Sequence, residues 1–387
     1  MHDIIQGNCL EVLTQLEDNS IDSIVTDPPY ELGFMGKAWD NTGIANNKEM
    51  WSECLRVLKP GGHLLAFSGT RTYHRMASAI EDAGFEVRDM IEWVYGSGFP
   101  KSLNIGKAVD KLQGNEREEL GDMKPAGFKT AASGYTDTKA WSGKVSKGTS
   151  EWEGWGTALK PAHEPICFAR KPLEKGLTIA ENCLKYGTGG INIDESRVEP
   201  TGDVSGWSQT GSKAGENRAM SGANYEREPK PDNQNGRFLA NLIHDNSEEV
   251  RECFPETKTG AVKTTIDNGA NQPINLGGGL TKERLADSGN ASRFFKSIIY
   301  QSKASKRDRG EGNIHPTVKS VALMEYLIKM VTPKGGIVLD PFAGSGSTLV
   351  AAKQNGFQYI GIELDKDYCI IAKSRLKQKI LKQEVLF

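Results

Sequence analysis

The first hundred residues alternate between short apolar runs and amphipathic stretches. Residues 21–26 form an apolar run that is typical of a buried strand, and residues 48–58 carry apolar side chains at helical spacing. Lys59-Pro60-Gly61-Gly62 is a helix-stop sequence, and a second helix pattern ends at Gly84. The pattern therefore predicts strands at 21–26, 63–67 and 85–93, separated by helices at 48–58 and 73–83.

The C-terminal residues repeat this order of elements. An amphipathic helix is predicted at 318–331, and Thr332-Pro333-Lys334-Gly335-Gly336 ends it. A strand at 337–339, a glycine turn, a helix at 348–354, a strand at 359–362 and a last helix through Leu381 follow. Such alternation predicts an α/β fold with a doubly wound, mostly parallel sheet.

The middle of the chain, about 101–313, is polar and rich in Gly, Ser, Thr, Asn and Lys. A segment of this length is too long for one loop of a compact domain, so we expect an inserted domain plus mobile loops. Glu164–Arg170 is an apolar island that predicts one more strand of the sheet. Residues 237–244 are typical of either a short strand or a helix.

Composition narrows the class of protein. The 387 residues are 37% hydrophobic, and no apolar run approaches the roughly 20 residues of a membrane helix. Residues 1–8 show no secretory pattern, so we expect a soluble, cytoplasmic protein without a membrane partner. The six cysteines include no C-x-x-C pair, which predicts neither a metal site nor a disulfide framework.

Charge is balanced overall but not locally. The chain has 48 basic and 50 acidic residues, whereas residues 281–310 contain eight Lys or Arg and three Asp or Glu. This local excess of five positive charges makes the segment the best candidate for a phosphate-facing surface. A solvated, neutralised face is the alternative interpretation.

A glycine-rich sequence, Asp340–Thr348 (D-P-F-A-G-S-G-S-T), lies between a predicted strand and a predicted helix. Nucleotide-like cofactors bind at such turns, because glycines permit close backbone approach and the helix offers free N–H groups. Glu363 follows Gly344 by nineteen residues, where a carboxylate can accept both ribose hydroxyls. A third glycine and a Walker lysine are missing, which disfavours nicotinamide and triphosphate cofactors. A tight turn with a surface glutamate is the alternative.

A second motif, Asp27–Tyr30 (D-P-P-Y), also ends a predicted strand. The prolines remove two N–H donors, so backbone carbonyls and the Asp27 carboxylate form a cluster of hydrogen-bond acceptors. Two acceptors, Asp27 and the Pro28 carbonyl, suit the two N–H groups of an exocyclic amine, and Tyr30 can stack on a planar base. An ordinary turn is the alternative interpretation.

Together these motifs resemble the β class of DNA amino-methyltransferases. The catalytic D-P-P-Y motif comes first, a target-recognition region follows, and the S-adenosylmethionine motif F-A-G-S-G (342–346) comes last, as in that class. Residues 315–319 (H-P-T-V-K) resemble the segment that holds the methionine end of the cofactor, with Ser320 where the family usually has proline. Gly7-Asn8-Cys9 resembles the family's Gly-Asp-Cys near the cofactor adenine, with Asn8 in place of aspartate.

The resemblance implies a set of site residues and a domain partition. The catalytic residues would be Asp27, Pro28, Pro29 and Tyr30. The S-adenosyl-L-methionine site would comprise Asn8, Cys9, Asp27, His315, Thr317, Lys319, Asp340, Phe342, Ala343, Gly344, Ser345, Gly346 and Glu363. The catalytic part would span 1–172 with a flexible insertion at about 102–157, the target-recognition region 173–311, and the cofactor-binding part 312–387.

The implied partner is double-stranded DNA, bound by a monomer or a homodimer. The loop 31–40 could close over an extruded base through Phe34, Lys37 and Trp39, and Arg293, Lys303, Lys306 and Arg307 could contact phosphates. Segments 33–40, 93–101 and 160–171 are similar to members common in bacteriophage and prophage genomes.

The implied activity is methyl transfer to the N6 amino group of adenine. Asp rather than Ser at position 27 favours adenine over the cytosine-N4 reaction of the same class. No Pro-Cys dipeptide occurs, which disfavours methylation at ring carbon 5. A catalytically silent DNA-binding regulator is the remaining alternative, although it would be expected to have lost Asp27 or the glycine loop, and both are intact.

The basic segment yields a prediction about DNA binding. Replacing Lys303, Lys306 and Arg307 by alanine should weaken binding to every DNA sequence and flatten its salt dependence by about three units of slope, because each phosphate contact releases counterions. Binding titrations at several salt concentrations measure the slope, and cofactor affinity is the control. If the variant keeps its salt slope but methylates a different DNA sequence, these three residues contact base edges instead of phosphates. If neither binding nor the methylated sequence changes, they belong to a solvated surface.

Overall fold

The computed structural model describes residues 2–33, 38–96, 98, 102–122, 144–198, 236–260, 262–265, 281–284, 287–298, 309 and 312–378. Its strands are β1 (His2–Gln6), β2 (Ile21–Thr26), β3 (Leu58–Phe67), β4 (Glu86–Val94), β5 (Glu118–Asp122), β6 (Lys144–Lys147), β7 (His163–Arg170), β8 (Leu242–His244), β9 (Glu256–Thr259), β10 (Val262–Thr265), β11 (Thr281–Arg284), β12 (Asp287–Asn290), β13 (Lys296–Ser297), β14 (Ile337–Asp340) and β15 (Gln358–Glu363). Its helices are α1 (Cys9–Leu13), α2 (Lys48–Val57), α3 (Tyr73–Asp82), α4 (Ile105–Gln113), α5 (Ile179–Tyr186), α6 (Glu248–Arg251), α7 (Val321–Val331), α8 (Ser347–Gln354) and α9 (Lys366–Lys377). Short 3-10 helices span Ala38–Asn41, Ile44–Asn46, Asp194–Ser196 and Ala291–Phe294.

The larger of two compact units, Met1–Ser97 with His163–Phe387, is built on a nine-stranded sheet. The strand order is β1-β15-β14-β2-β3-β7-β4-β8-β13. Strand β7 runs antiparallel to β3 and β4, and the other pairings described in this sheet are parallel. The amino end of β7 therefore lies at the same sheet edge as the carboxyl ends of its neighbours. The predicted α/β class and mostly parallel sheet are confirmed.

Helices cover both faces of this sheet, which explains why the last four residues of β3, Leu64–Phe67, are all apolar. Leu64 and Ala66 pack on one face in a cluster with Trp51 of α2. Leu65 and Phe67 point to the other face and pack in a cluster with α7. Because successive side chains of a strand alternate between faces, a strand covered on both faces needs apolar residues at every position.

Most predicted elements match the structure, but three boundaries differ. The island 164–170 is strand β7 of the sheet, and 237–244 contains strand β8. The helix predicted at 318–331 begins at Val321, and the last helix, predicted through Leu381, ends at Lys377.

The third difference concerns β3. The strand predicted at 63–67 begins at Leu58, directly after α2. Gly61 adopts a positive φ of 79°, its N–H donates to the Lys171 carbonyl, and the pairing with β2 shifts register nearby. The proline and glycines that resemble a helix stop therefore form an irregularity within the strand.

The smaller unit, Gly98–Ala162, contains α4 and the antiparallel pair of β5 and β6. Asn104 caps α4 by accepting from the Lys107 N–H, as polar N-cap residues commonly do. Asp110 of α4 is fully buried and pairs with Arg117, which also bonds Glu153. The domain boundaries inferred from the sequence, including the insertion at about 102–157, remain predictions.

The helices that the structure describes include none long and apolar enough to cross a membrane.

The packing of β3 yields a prediction about stability. Leu64→Ala should lower the free energy of unfolding by about 2–5 kcal/mol, because Leu64 is fully buried and its truncation leaves a cavity. Leu184→Ala, the same change at a side chain that is 90% exposed on α5, should cost no more than about 0.5 kcal/mol. Denaturant unfolding compares the two variants, and equal losses would contradict the assignment of Leu64 to the core.

Candidate active site

The predicted motifs meet at one edge of the large sheet. Asp27 follows the carboxyl end of β2, Asp340 ends β14, Glu363 ends β15, and Asn8 follows β1. These strands are neighbours and parallel, so their carboxyl ends lie side by side. Ligands of doubly wound sheets bind at this edge. The structure thus brings together two motifs that are more than 300 residues apart in the sequence.

The Asp27 carboxylate is paired with an ammonium from the other end of the chain. Lys319 Nζ lies 2.9 and 2.8 Å from the two Asp27 oxygens and donates to the Tyr30 hydroxyl at 2.9 Å. The ammonium also lies 5.1 Å from the centre of the Tyr30 ring and 4.9 Å from that of Phe67. The sequence prediction placed Lys319 at the methionine end of the cofactor, whereas its described contacts are with the D-P-P-Y motif and its surroundings.

A second carboxylate, Glu164, completes this cluster. It enters from the amino end of β7, which reaches the site edge because β7 is antiparallel. The Tyr30 hydroxyl donates to Glu164 Oε2 at 2.9 Å, and Lys319 Nζ lies 3.2 Å from the same oxygen. The side chains of Asp27, Glu164 and Lys319 are 20%, 18% and 12% exposed. We call Asp27, Tyr30, Glu164 and Lys319 the acidic cluster.

Burial and nearby charges determine the protonation states of Lys319 and Tyr30 in the acidic cluster. Burial lowers the pKa of the Lys319 ammonium, but the carboxylates of Asp27 and Glu164 outweigh burial and raise the pKa overall. Burial, together with the same two negative charges, raises the pKa of Tyr30 well above its ordinary value. At neutral pH Lys319 is therefore charged, and Tyr30 is a neutral phenol that can donate to Glu164.

The backbone after Asp27 is held by side chains around it. Thr72 Oγ1 donates to the Tyr30 carbonyl at 2.7 Å, and the Asp40 carboxylate accepts from the N–H groups of Glu31 and Leu32. Glu31 has a φ of 55°, a left-handed conformation that costs energy for a non-glycine residue. No residue that the structure describes donates to the Pro28 carbonyl. Asp27 and Pro28 thus present acceptors at the end of β2.

The glycine loop lies next to the D-P-P-Y motif and is connected to it. Asp340 is buried, accepts from Thr26 Oγ1 at 2.7 Å, and accepts from the Phe342 N–H at 3.1 Å. Burial raises the pKa of Asp340 to about 6. Asp340, predicted as a cofactor residue, therefore faces the interior and joins the last residue of β2 to the start of the loop.

Both glycines of the loop have left-handed backbones, with φ of 50° at Gly344 and 81° at Gly346. A Cβ on Gly344 would lie 3.0 Å from His315 Nε2, so the glycine lets the loop approach the 315–319 segment closely. Arg375 of α9 is buried and donates to the Ser345 carbonyl at 2.6 Å and to its hydroxyl at 3.1 Å. Hydrogen bonds within the protein thus support the shape of the loop.

Glu363 faces the loop from the end of β15. Its two carboxylate oxygens accept from the N–H groups of Gly344 at 2.7 Å and Asp365 at 2.8 Å. Burial raises its pKa, and these N–H groups partly offset the rise. Each carboxylate oxygen can accept a further hydrogen bond. Glu363 can therefore support the loop and still accept from a ribose hydroxyl.

The remaining cofactor residues of the prediction lie around this loop. Asn8 is exposed and caps α1 through its side-chain oxygen, which accepts from the Leu10 N–H at 3.0 Å. Cys9 is buried, and burial raises the pKa of its thiol to about 11. The His315 ring lies 4.3 Å from that of Tyr368 and bonds the Thr317 carbonyl through Nδ1. Phe342, Ala343 and Ser345 belong to the loop itself.

These residues fit S-adenosyl-L-methionine. The glycines let the loop lie close to His315. The Glu363 carboxylate lies at the end of β15, and Asp27 of the acidic cluster follows β2. A nucleoside needs the first two features, and a methyl acceptor needs the third. Among the described residues there is no group of three side chains that could hold a metal ion.

The predicted DNA-binding residues lie mostly outside the described part of the chain. This holds for Phe34, Lys37, the side chain of Trp39, Lys303, Lys306 and Arg307. Arg293 is described: it donates to the carbonyls of Gly289 and Asn290 and stacks on Phe294 at 4.3 Å. Its contact to phosphate stays a prediction.

Sequence reasoning missed two residues that shape the site, Glu164 and Arg375. The sequence predicts Glu164 only as the first residue of an apolar strand, and no local signal shows that this strand is antiparallel. Arg375 carried a weak signal, because it follows the buried Ala372 by three residues and so occupies the apolar face of α9. A basic residue on a buried face indicates a specific acceptor nearby.

Comparisons with known proteins agree with this geometry. A family model of N6/N4 methyltransferases, described as DNA methylase, matches residues 21–374. The type II methyltransferase M.HindIII of Haemophilus influenzae is 24% identical over 413 residues, covering 96% of this chain and 94% of that protein. The type II methyltransferase M.HpaI of Haemophilus parainfluenzae is 37% identical over 115 residues, which cover 28% of this chain and 37% of that protein. The putative methylase YubD of Escherichia coli K12 is 55% identical over 62 residues, which cover 16% of this chain and 27% of that protein.

Solved structures show more distant similarity. A putative DNA modification methylase of Thermus thermophilus, complexed with S-adenosyl-L-methionine, is 16% identical with a TM-score of 0.42, covering 99% of this chain and 96% of that chain. The PvuII DNA methyltransferase, described as cytosine-N4-specific, is 13% identical with a TM-score of 0.47, covering 98% and 88%. The family model spans most of the sequence, including the D-P-P-Y motif, the glycine loop and Lys319, and the chain therefore belongs to the N6/N4 DNA methylase family, whose methyl donor is S-adenosyl-L-methionine.

Proposed function

We propose that the protein is a site-specific DNA methyltransferase that methylates the N6 amino group of adenine in a base extruded from the duplex. The observation that carries this proposal is the position of the Asp27 carboxylate. It follows β2 directly, and the Thr26–Asp340 hydrogen bond joins the D-P-P-Y motif to the glycine loop. An acceptor for an amino group and a loop for the methyl donor are thereby held on one sheet edge.

The acceptors at the end of β2 can activate the target amine. An exocyclic amino group is a poor nucleophile, because its lone pair is delocalised into the ring. Hydrogen bonds from its two N–H groups to the Asp27 carboxylate and the Pro28 carbonyl would favour tetrahedral geometry and direct the lone pair at the methyl group. Positioning of this kind supplies much of the rate of a group transfer. Tyr30 would stack on the base.

The residues around the glycine loop would hold the methyl donor. Glu363 would accept from the ribose, Asn8 and Cys9 would lie at the adenine, and His315, Thr317 and Lys319 would lie toward the methionine end. When bound, S-adenosyl-L-methionine supplies an electrophilic methyl group. Asp27 need not deprotonate the amine before attack, because the product cation is strongly acidic.

Asp27 supports adenine as the target, since serine at that position favours cytosine-N4 chemistry. The intact Asp27 and glycine loop support catalysis over a silent DNA-binding role. A base inside a duplex cannot reach the site, so extrusion is required, and the loop 31–40 would close over the extruded base. Segments 33–40, 93–101 and 160–171 support an enzyme of the phage or prophage type, and the type II relatives support a restriction–modification setting.

Mapping of methylated bases tests the proposed function. Plasmid DNA from cells expressing the chain should carry N6-methyladenine in one sequence context, and Asp27→Ala should abolish it, because the amine loses its acceptor. Lys319 keeps Glu164 as a partner in this variant, so folding should persist. Asp18→Ala, at an exposed carboxylate paired with Arg56, is the control and should methylate normally. N4-methylcytosine would identify the cytosine enzyme, and unmodified DNA from the wild type would refute both.

Glu363→Ala and Asp27→Ala should differ in their effect on cofactor affinity. Glu363→Ala should weaken binding of S-adenosyl-L-methionine by about 1.5–3 kcal/mol, because charge-assisted hydrogen bonds to the ribose are lost. Asp27→Ala should leave the dissociation constant within a few-fold. Calorimetric titration of both variants gives the comparison. An unchanged dissociation constant for Glu363→Ala would show that Glu363 only supports the loop. A collapse of affinity for Asp27→Ala would show that the main partner of Asp27 is the cofactor and not the amine.

A further inference from the structure

We propose that Glu164 is a positioning residue that gives the candidate active site its net negative charge and allows Lys319 to release Asp27 when the target amine arrives. This inference rests on the proposed function. Asp27 and Lys319 form an ion pair of zero net charge, and Glu164 adds one negative charge beside the same ammonium.

The geometry shows that Lys319 is shared between the two carboxylates. Its ammonium lies 2.8 Å from Asp27 and 3.2 Å from Glu164, and it also donates to the Tyr30 hydroxyl. A largely buried ammonium that loses its counter-ion is costly unless another acceptor remains. Because Glu164 and Tyr30 remain as partners, Lys319 can give up one Asp27 oxygen without being left unpaired. That oxygen then offers both of its lone pairs to the amine.

The net charge matters because positive charge moves toward this cluster during the reaction. The lone pair of the amino nitrogen forms a bond to the methyl carbon, the carbon–sulfur bond breaks, and its electron pair stays on sulfur. Positive charge passes from sulfur to the amino nitrogen, and one N–H proton then passes to the Asp27 carboxylate and on to solvent. A site with one net negative charge stabilises this change, whereas a neutral ion pair does so weakly.

Tyr30 keeps Glu164 in place. Its hydroxyl donates to Glu164 Oε2, the same oxygen that faces Lys319, so the carboxylate is directed at the ammonium. The hydroxyl accepts in turn from Lys319. Glu164 needs no contact with the base in this arrangement, which distinguishes it from Asp27.

Glu164→Gln removes the charge and keeps the shape. The amide oxygen can still accept from Tyr30 and Lys319. The single-turnover rate of methyl transfer, at saturating cofactor and DNA, should fall by about 10- to 100-fold, because the lost charge acts on the charge that develops in the transition state. The dissociation constant for S-adenosyl-L-methionine should stay within a few-fold. Glu164→Asp keeps the charge and should recover most of the rate.

A double variant separates charge from structure. In E164Q/K319M the removal of the ammonium leaves Asp27 as the only charge of the cluster, so the site is negative again. Its single-turnover rate should exceed that of E164Q by about 5-fold or more. A purely structural role for Glu164 predicts the opposite, since a second disrupted contact would slow the reaction further. The control is Glu92→Gln on the adjacent strand β4, where Glu92 faces His163 at 3.5 Å, and it should match the wild type.

The outcomes separate this inference from the proposed function. A wild type that transfers no methyl group to DNA refutes the function itself. An active wild type with an equally fast E164Q, or a folded double variant slower than E164Q, overturns the role of Glu164 alone. If E164Q does not fold, the double variant carries the test. Activity above that of Asp27→Ala then supports the inference, and a folded but inactive double variant overturns it.

Discussion

One ammonium group, that of Lys319, joins the parts of the chain that form the acidic cluster. It contacts residues 27, 30 and 164, which come from the N-terminal strands and from the strand that follows the smaller unit. A charge that is only 12% exposed needs partners with good geometry, and these segments supply them. The position of the segment 315–319 is thereby tied to the end of β2, and the candidate active site depends on both ends of the sequence.

The glycine loop is organised by a second, independent set of contacts. Gly344 donates its N–H to Glu363, and Arg375 donates to Ser345, so contacts within the protein support the shape of the loop. The buried hydrogen bond between Thr26 and Asp340 links this loop to the strand that carries Asp27. A direct hydrogen bond therefore connects the glycine loop with the D-P-P-Y motif.

Strand β7 contributes both to the core of the large sheet and to the candidate active site. It follows the smaller unit directly and returns the chain into the sheet between β3 and β4. Its register with β3 places Ile166 opposite Phe67, so the apolar island is buried while Glu164 remains at the edge. A single strand thus contributes both to the core and to the charge of the site.

Much of the site was predictable because its signals are local. Apolar runs and helical spacing indicated the alternation of strands and helices, and Asp27, Gly344 and Glu363 each follow or end a strand, which places them on one edge once the sheet is parallel. The prolines and glycines beside them restrict or permit particular backbone angles within a few residues. These properties need no knowledge of distant contacts.

Tertiary structure alone decided the direction of β7, the pairing of Lys319 with Asp27 and Glu164, and the burial of Asp340 against Thr26. Strand order and direction are set by hydrogen bonds between segments far apart in the sequence. An apolar run such as 164–170 carries no local signal that shows whether the strand is parallel or antiparallel to its neighbours. The strand at Leu58 was missed for a related reason, because the glycines that usually end a helix here form an irregularity that pairing with β2 and β7 makes possible. The sequence therefore determined which chemical groups reach the site edge, and long-range pairing determined which of them meet.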